Sequence, residues 1–136
     1  MSLAYKRAQL KYQLSRERRQ NTKKGFLPVC DLCDKPITKH RPADMHEWLL
    51  KRSAIPKKNE RHDLIFAPEN CSLLHHDPCH MQLGQTKGLR AILAKKFIKR
   101  YGEERLHDFI DSINLGTENA RMYHNIINEA THNYDY

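Results

Sequence analysis

The segment NCSLLHHDPCHM, residues 70–81, holds one asparagine, two cysteines and three histidines. Zinc prefers thiolate and imidazole ligands, and imidazole also serves as a general base near neutral pH. Some forty residues earlier, Cys30 and Cys33 form a CxxC pair, a spacing that lets two thiolates bind one ion. Because no βαβ pattern surrounds this pair and more soft ligands follow it, we predict a structural zinc site rather than a redox pair.

The other half of the predicted zinc site includes Cys79, but its fourth ligand has three candidates. His76 makes an HxxC spacing with Cys79 and is the favoured ligand. His75 lies one residue further away, and Cys71 would complete a site of four thiolates. The other interpretation of Cys71 is a small buried hydrophobic residue in a strand.

The composition limits the compartment and the class of protein. The chain has 136 residues, 39% of them apolar, which fits one domain or a small domain with helical extensions. Its opening, MSLAYKRAQL, lacks the long apolar run of a secretory signal, and no run approaches the roughly 18 apolar residues of a membrane span. We therefore expect a protein of the reducing cytoplasm, without a membrane span, whose thiols bind metal.

The charge predicts a polyanionic partner. The net charge is +8, and eight of the first 24 residues are Lys or Arg. The other interpretation of such a run is a solvated face that keeps the protein soluble. Ten basic residues are predicted to contact nucleic-acid phosphates: Arg16, Arg18, Arg19, Lys23, Lys24, Lys51, Arg52, Lys57, Lys58 and Arg61.

The strands that would position these groups are short. Residues 3–20 contain no Gly or Pro and predict a polar, basic helix. FLPVC, residues 26–30, predicts a strand that leads into the CxxC turn. Residues 43–50 predict a strand entering a bend, and residues 71–74 predict a compact strand.

Helices dominate the second half of the sequence. Asp77 followed by Pro78 predicts a helix start, with an acceptor at the N-cap and proline at the first helical position. Apolar spacing after Thr86 predicts three helices, separated near Gly102 and Gly116. The predicted fold is α+β and mainly helical, a single compact domain overall. Its predicted parts are a basic N-terminal helix (1–24), a zinc-stapled core (25–85) and a helical extension (86–136).

The joint pattern resembles the HNH endonucleases, also called ββα-metal or His-Me finger nucleases. The matching stretches read CDLC, DMHEWLLKRS, APEN and LLHHDPCH, within residues 30–81. KRYGEERLHDFIDSI is also similar to the C-terminal helices of small phage-encoded members. The resemblance implies a ββα-metal core with a zinc knuckle, in a phage-encoded protein of the host cytoplasm.

The implied activity is metal-dependent hydrolysis of phosphodiester bonds in double-stranded DNA, by nicking or double-strand cleavage. A strand-end histidine acts as base, an asparagine holds the catalytic loop or the metal, and a helix histidine binds the metal. The implied cofactors are structural Zn²⁺ and a catalytic divalent cation, Mg²⁺, Mn²⁺ or another transition metal. The implied oligomeric state is a monomer or a weak homodimer, and phage packaging machinery is a candidate partner. The catalytic candidates are His46, Glu47, Asn70 and His80.

The sequence departs from the family pattern at the residue that acts as the general base. Many members have two adjacent residues, of which the first binds metal and the second is the base; here the pair is Met45 with His46, or His46 with Glu47. In the first case His46 is the base, and Asp44 or Glu47 helps to hold the ion. In the second case His46 binds the ion and Glu47 stands in the position of the base. We favour His46 as the base, with His80 and a nearby carboxylate on the ion.

The alternative function is a non-catalytic zinc-finger module that binds nucleic acid. It explains the CxxC pair and the net positive charge. It does not explain why the zinc ligands are accompanied by His46, Glu47, Asn70 and His80. Five further histidines are predicted to lie in exposed loops or on helix faces without a ligand role: His40, His62, His107, His124 and His132.

Overall fold

A computed structural model describes residues 2–81 and 87–132. The elements are α1 (Leu3–Leu14), β1 (Arg19–Thr22), β2 (Gly25–Pro28), β3 (Ala43–Glu47), β4 (Cys71–His75), α2 (Lys87–Tyr101), α3 (Glu103–Ile113) and α4 (Thr117–His132). β1 pairs with β2, and β3 pairs with β4, both antiparallel. The fold is therefore α+β and mainly helical, as predicted. Within the described ranges, no helix has the length and apolarity needed to cross a bilayer.

The predicted N-terminal helix is too long. It ends at Leu14, and a 3₁₀ turn at Arg16–Arg18 leads into β1. β1 and β2 form a hairpin whose turn ends at Gly25, where φ is 118° and glycine is favoured. Strand pairing has overridden the helix propensity of this segment. The boundary predicted at residue 24 thus falls inside a hairpin.

One face of α1 is anchored to β3 and the loop that follows it. Tyr5 and Tyr12, two turns apart on the helix, are both buried. The Tyr5 hydroxyl donates to the carbonyl of Met45 at 3.1 Å and accepts from the Met45 N–H at 3.0 Å. The Tyr12 hydroxyl donates to the carbonyl of Phe66. The basic helix is therefore packed onto the strand that carries the candidate catalytic residues.

The C-terminal helices pack against the chain that leaves β3. Trp48 is 2% exposed, and its ring lies 5.1 Å from that of Phe97 on α2, between centroids. Arg90 of α2 donates to the carbonyls of Trp48 and Leu49 at 3.1 and 2.9 Å. The same buried cluster continues through Leu106, Phe109, Ile110, Ile113, Tyr123 and Ile127 of α3 and α4. The three predicted helices are confirmed, with Gly102 and Gly116 between them.

Arg18 does not contact solvent, so its prediction as a phosphate ligand is wrong. It is 2% exposed. Its Nη1 donates to the Cys71 carbonyl at 2.7 Å and lies 3.5 Å from Asp31 Oδ2. Its Nη2 donates to the Pro68 carbonyl at 2.9 Å and to the Tyr101 hydroxyl at 3.3 Å. A guanidinium with these partners cross-links three segments of chain.

Aromatic rings complete the surroundings of this buried cation. The Arg18 guanidinium carbon lies 5.0 Å from the ring centroid of Tyr12 and 5.2 Å from that of Phe97. Cation–π attraction is strongest where water is excluded. Arg18 therefore joins α1 and α2 as well as the strands between them.

Replacing Arg18 with Ala is expected to destabilise the fold by about 3 kcal/mol, because it leaves buried carbonyls without a donor and Asp31 with one fewer cation. Urea unfolding measures the change. Arg16→Ala is the matched control, since Arg16 is exposed, and it is expected to change the free energy of unfolding by less than about 0.5 kcal/mol. An Arg18→Ala protein of parental stability would contradict the structural role.

Candidate functional site

The CxxC segment folds as a tight turn that presents two sulfurs. The Asp34 N–H donates to the Cys30 carbonyl at 2.9 Å, and the Cys30 N–H donates to the Lys35 carbonyl at 3.0 Å. Asp34 has a φ of 61°, a left-handed conformation that aspartate tolerates better than most residues. Cys30 and Cys33 are therefore held by the backbone of their own loop.

Asp31 fastens this turn to β4. Its N–H donates to the Leu73 carbonyl at 2.8 Å, and its Oδ2 accepts from the Leu73 N–H at 2.8 Å. Its Oδ1 accepts from Arg100 Nη2 of α2 at 2.8 Å. Asp31 is 2% exposed, so this reciprocal pair lies in the interior. The turn is thus fixed in register with the strand that ends at His75.

Four side chains converge where the turn meets the end of β4. One ligand atom from each of Cys30, Cys33, His75 and Cys79 lies within 4.8 Å of the others. Cys33 Sγ is 3.2 Å from His75 Nδ1, and the His75 N–H donates to Cys30 Sγ at 3.4 Å. The cluster has the composition of a Cys₃His zinc site.

A carbonyl sets the tautomer of the histidine in this cluster. His75 Nε2 lies 2.9 Å from the carbonyl oxygen of Pro36. Because a carbonyl only accepts, Nε2 carries the proton and Nδ1 offers its lone pair towards the sulfurs. Metal-binding histidines have this kind of partner on their second nitrogen. The residues present therefore fit a zinc ion.

The structure brings His75, not the favoured His76, to the cysteines. β4 continues through His75, one residue beyond its predicted end, so the buried position falls on His75. Consecutive residues leave an extended segment on opposite sides, and His76 is exposed. The alternative ligand set with His75 is thus the one that the geometry supports.

Cys71 and Cys79 are both buried cysteines with different surroundings. Cys71 Sγ donates to the Ile65 carbonyl at 3.4 Å, outside the cluster, and burial raises its pKa. Burial, together with the neighbouring Cys30 and Cys33, raises the pKa of Cys79 to about 12. Three thiolates this close together repel one another unless a cation lies between them.

Replacing His75 with Ala is expected to abolish stoichiometric zinc binding, because it removes the nitrogen donor of the cluster. His76→Ala, one residue away, is expected to retain one zinc per chain. Elemental analysis of the purified proteins measures both. The opposite result, zinc absent from His76→Ala and present in His75→Ala, would overturn this ligand set.

A second cluster forms on the outer side of the β3–β4 hairpin. Asp44 and His46 are two residues apart on β3, and so project from one face. Asp44 Oδ2 lies 2.7 Å from His80 Nδ1 and 2.7 Å from His76 Nδ1. The rings of His46 and His80 are 5.3 Å apart between centroids. β3 and the turn at His76–His80 therefore bring three histidines and one carboxylate together.

The surroundings perturb the pKa values of this cluster. Burial, then the neighbouring His80, lowers the pKa of His46 to about 4. Burial raises the pKa of Asp44, but the hydrogen bonds with His80 and His76 outweigh it and leave the pKa below its ordinary value. At neutral pH, His46 is therefore an uncharged imidazole, and the Asp44 carboxylate that contacts His80 and His76 is ionised.

Glu47 lies on the opposite face of β3 from His46. Its Oε1 accepts from Arg52 Nε at 2.8 Å, and the Arg52 guanidinium carbon lies 4.8 Å from the ring centroid of Tyr5. The structure thus does not join Glu47 to the histidine cluster. Asp44 is the carboxylate that accompanies His46 and His80.

Asn70 holds the loop that follows β3. Its Oδ1 accepts from the N–H groups of Leu49 and Leu50 at 3.2 and 2.7 Å. Its Nδ2 donates to the carbonyls of Leu50 and Ile65 at 2.9 and 2.8 Å. Asn70 is 0% exposed, and both its amide hydrogens are used. Its amide therefore positions backbone rather than an ion.

Comparison with known proteins does not identify a family. No protein-family model, curated protein or solved structure matches this chain. A functional inference therefore rests on the residues and geometry of the chain itself.

The predicted phosphate contacts other than Arg18 reach the surface. Arg19 is half-buried, and its Nε donates to the Gln13 carbonyl at 3.0 Å. The others are exposed, in the turn after α1, at the hairpin tip and in the loop after β3: Arg16, Lys23, Lys24, Lys51, Arg52, Lys57, Lys58 and Arg61. All five basic N-terminal candidates, Arg18 included, thus lie outside α1, which ends at Leu14.

Proposed function

We propose that this protein is a metal-dependent DNA endonuclease with an HNH-type site. The observation that carries the proposal is the meeting of Asp44, His46 and His80, with 5.3 Å between the two ring centroids. Asp44 and His46 stand on β3 and His80 on the turn after β4, the strand that also carries His75 of the Cys₃His cluster. A zinc-finger module that only binds nucleic acid would need the Cys₃His cluster but not the cluster of Asp44, His46 and His80.

The donor set fits a divalent cation. The Asp44 carboxylate and His80 Nδ1 are 2.7 Å apart. His76 Nδ1 lies 2.7 Å from the same Asp44 oxygen and would be a third ligand atom. Oxygen donors suit Mg²⁺, and adding imidazole favours Mn²⁺ and later transition metals. Asp44 and His80 would hold the ion, which would stabilise the negative charge that develops on the phosphate and the leaving 3′ oxygen.

His46 is the general base of this proposal. Its low pKa keeps the imidazole uncharged and able to accept the proton of a water molecule that attacks phosphorus in line. A bound phosphate anion would raise the pKa of His46, and the divalent ion on Asp44 and His80 would lower it. The products would be 5′-phosphate and 3′-hydroxyl ends.

The surface charge supports DNA as the substrate. Lys51, Lys57, Lys58 and Arg61 are exposed in the loop after β3, and Lys23 and Lys24 occupy the hairpin tip. Contacts of lysine and arginine with phosphates provide affinity without sequence information. DNA lying across the histidine cluster would thus meet basic side chains on the adjoining loop.

Replacing His46 with Ala is expected to lower cleavage of supercoiled plasmid about 10²- to 10⁴-fold, because it removes the group that accepts the proton. The assay uses zinc-loaded protein with Mg²⁺ or Mn²⁺, and a chelator control should abolish cleavage. Zinc content and thermal unfolding should match the parent. His40→Ala, at an exposed loop position, is the matched control.

The same assay separates the alternatives. Glu47→Gln should keep cleavage within a few-fold of the parent if His46 is the base, and should abolish it if Glu47 is. Full activity in His46→Ala would refute the assigned base. Absence of nicking by the parent with any divalent ion would favour the zinc-finger binding module.

Replacing both Lys23 and Lys24 with Ala is expected to weaken DNA binding to the same extent on unrelated sequences, because phosphate contacts carry no sequence information. The plot of log affinity against log salt should become shallower by about 0.9 for each phosphate that the variant no longer neutralises. Fluorescence anisotropy over a salt series measures it. The stability of the variant should not change, since both side chains are exposed. An unchanged slope of log affinity against log salt would mean that Lys23 and Lys24 do not contact the DNA.

A further inference from the structure

Two histidines meet between the last two helices, outside both clusters described above. His107 of α3 and His124 of α4 have their Nδ1 atoms 2.6 Å apart. The ring centroids are 4.8 Å apart and the ring planes are inclined by 29°, so the rings meet edge to edge through these nitrogens. The sequence predicts both as helix-face residues without a ligand role, but the packing of α3 on α4 pairs them.

Each ring has a carboxylate on its other nitrogen. His124 Nε2 lies 2.7 Å from Asp111 Oδ1, and His107 Nε2 lies 3.6 Å from Glu103 Oε1. The Asp111 carboxylate only accepts, so its contact with His124 favours a proton on Nε2 of His124 and leaves a lone pair on its Nδ1. His107 Nε2 is too far from Glu103 for a hydrogen bond, so His107 can carry its proton on Nδ1. Either that proton or a metal ion between the two nitrogens satisfies the Nδ1 lone pair of His124.

We propose that His107 and His124 form a second metal site, which takes a late first-row divalent transition ion such as Zn²⁺, Ni²⁺ or Cu²⁺. The ion would lie between the two Nδ1 atoms, and the proton of His107 would then be on Nε2, on the side of Glu103. Tetrahedral Zn²⁺ with Zn–N bonds of about 2.0–2.1 Å requires the two nitrogens, now 2.6 Å apart, to separate by about 0.7 Å. Asp111 and Glu103 would fix the ring orientations, as carboxylates do for histidine ligands in zinc proteins.

The position of the pair suits this role. α3 and α4 are held together by buried apolar side chains, among them Ile110 and Ile127, so the backbone that carries each ring is fixed. The side chains of His107 and His124 are 24% and 23% exposed, so water can complete the coordination. Mg²⁺, which prefers oxygen ligands and resists dehydration, would not compete for two imidazoles.

The test is calorimetric titration of Zn²⁺ into the full chain, with the Cys₃His cluster already loaded and Mg²⁺ in excess. The parent should bind one equivalent more than His124→Gln, whose side-chain amide can still donate to Asp111 but has no Nδ1. His40→Gln should match the parent. Asp111→Asn should keep the site but weaken it about 10- to 100-fold.

Histidine ring ¹⁵N shifts of the parent locate the ion without any substitution. Saturation should shift Nδ1 of His107 and His124 together, and both Nε2 atoms should carry a proton in the loaded protein. An extra equivalent that persists in His124→Gln, or Nδ1 shifts confined to His76 and His80, would overturn the proposal. Neither result bears on whether the protein cleaves DNA, so the two proposals fail separately.

Discussion

The reciprocal hydrogen bonds between Asp31 and Leu73 set the geometry of everything around them. They join two parts of the chain that are distant in sequence, and they place Cys30 beside the N–H of His75. Since β4 pairs with β3 residue by residue, this fixed register passes to Asp44 and His46. A zinc ion in the Cys₃His cluster would strengthen a junction that the backbone has already aligned.

Arg18 extends that junction to the rest of the protein. Its guanidinium reaches Asp31 in the turn, the Cys71 carbonyl in β4 and Tyr101 at the end of α2. Desolvating a guanidinium is costly, and several acceptors and two aromatic faces offset the cost here. A small protein with a limited apolar core thus uses one interior cation to hold its terminal segments around a hairpin.

The sequence predicted the three C-terminal helices, both strands of the β3–β4 hairpin and three of the four thiol-cluster residues, because local spacing encodes them. It did not predict β1, which lies where the N-terminal helix was expected to continue. It favoured His76 as the fourth ligand instead of His75, since that choice depends on where β4 ends. Arg18 looked like its basic neighbours, and only the packing of α1 against α2 shows that it points inward. The pairing of His107 with His124 likewise depends on how two helices dock, which neither helix encodes alone.

The strand-to-turn junction at His75 and His76 places neighbouring residues in two different chemical environments. A slip of one residue there would exchange the inner imidazole for the outer one, and would disturb the sulfur cluster and the Asp44 cluster together. Insertions or deletions between β4 and Cys79 should therefore be tolerated far less than those in the exposed loop after β3. Redesign of either cluster would have to preserve the length of this connection.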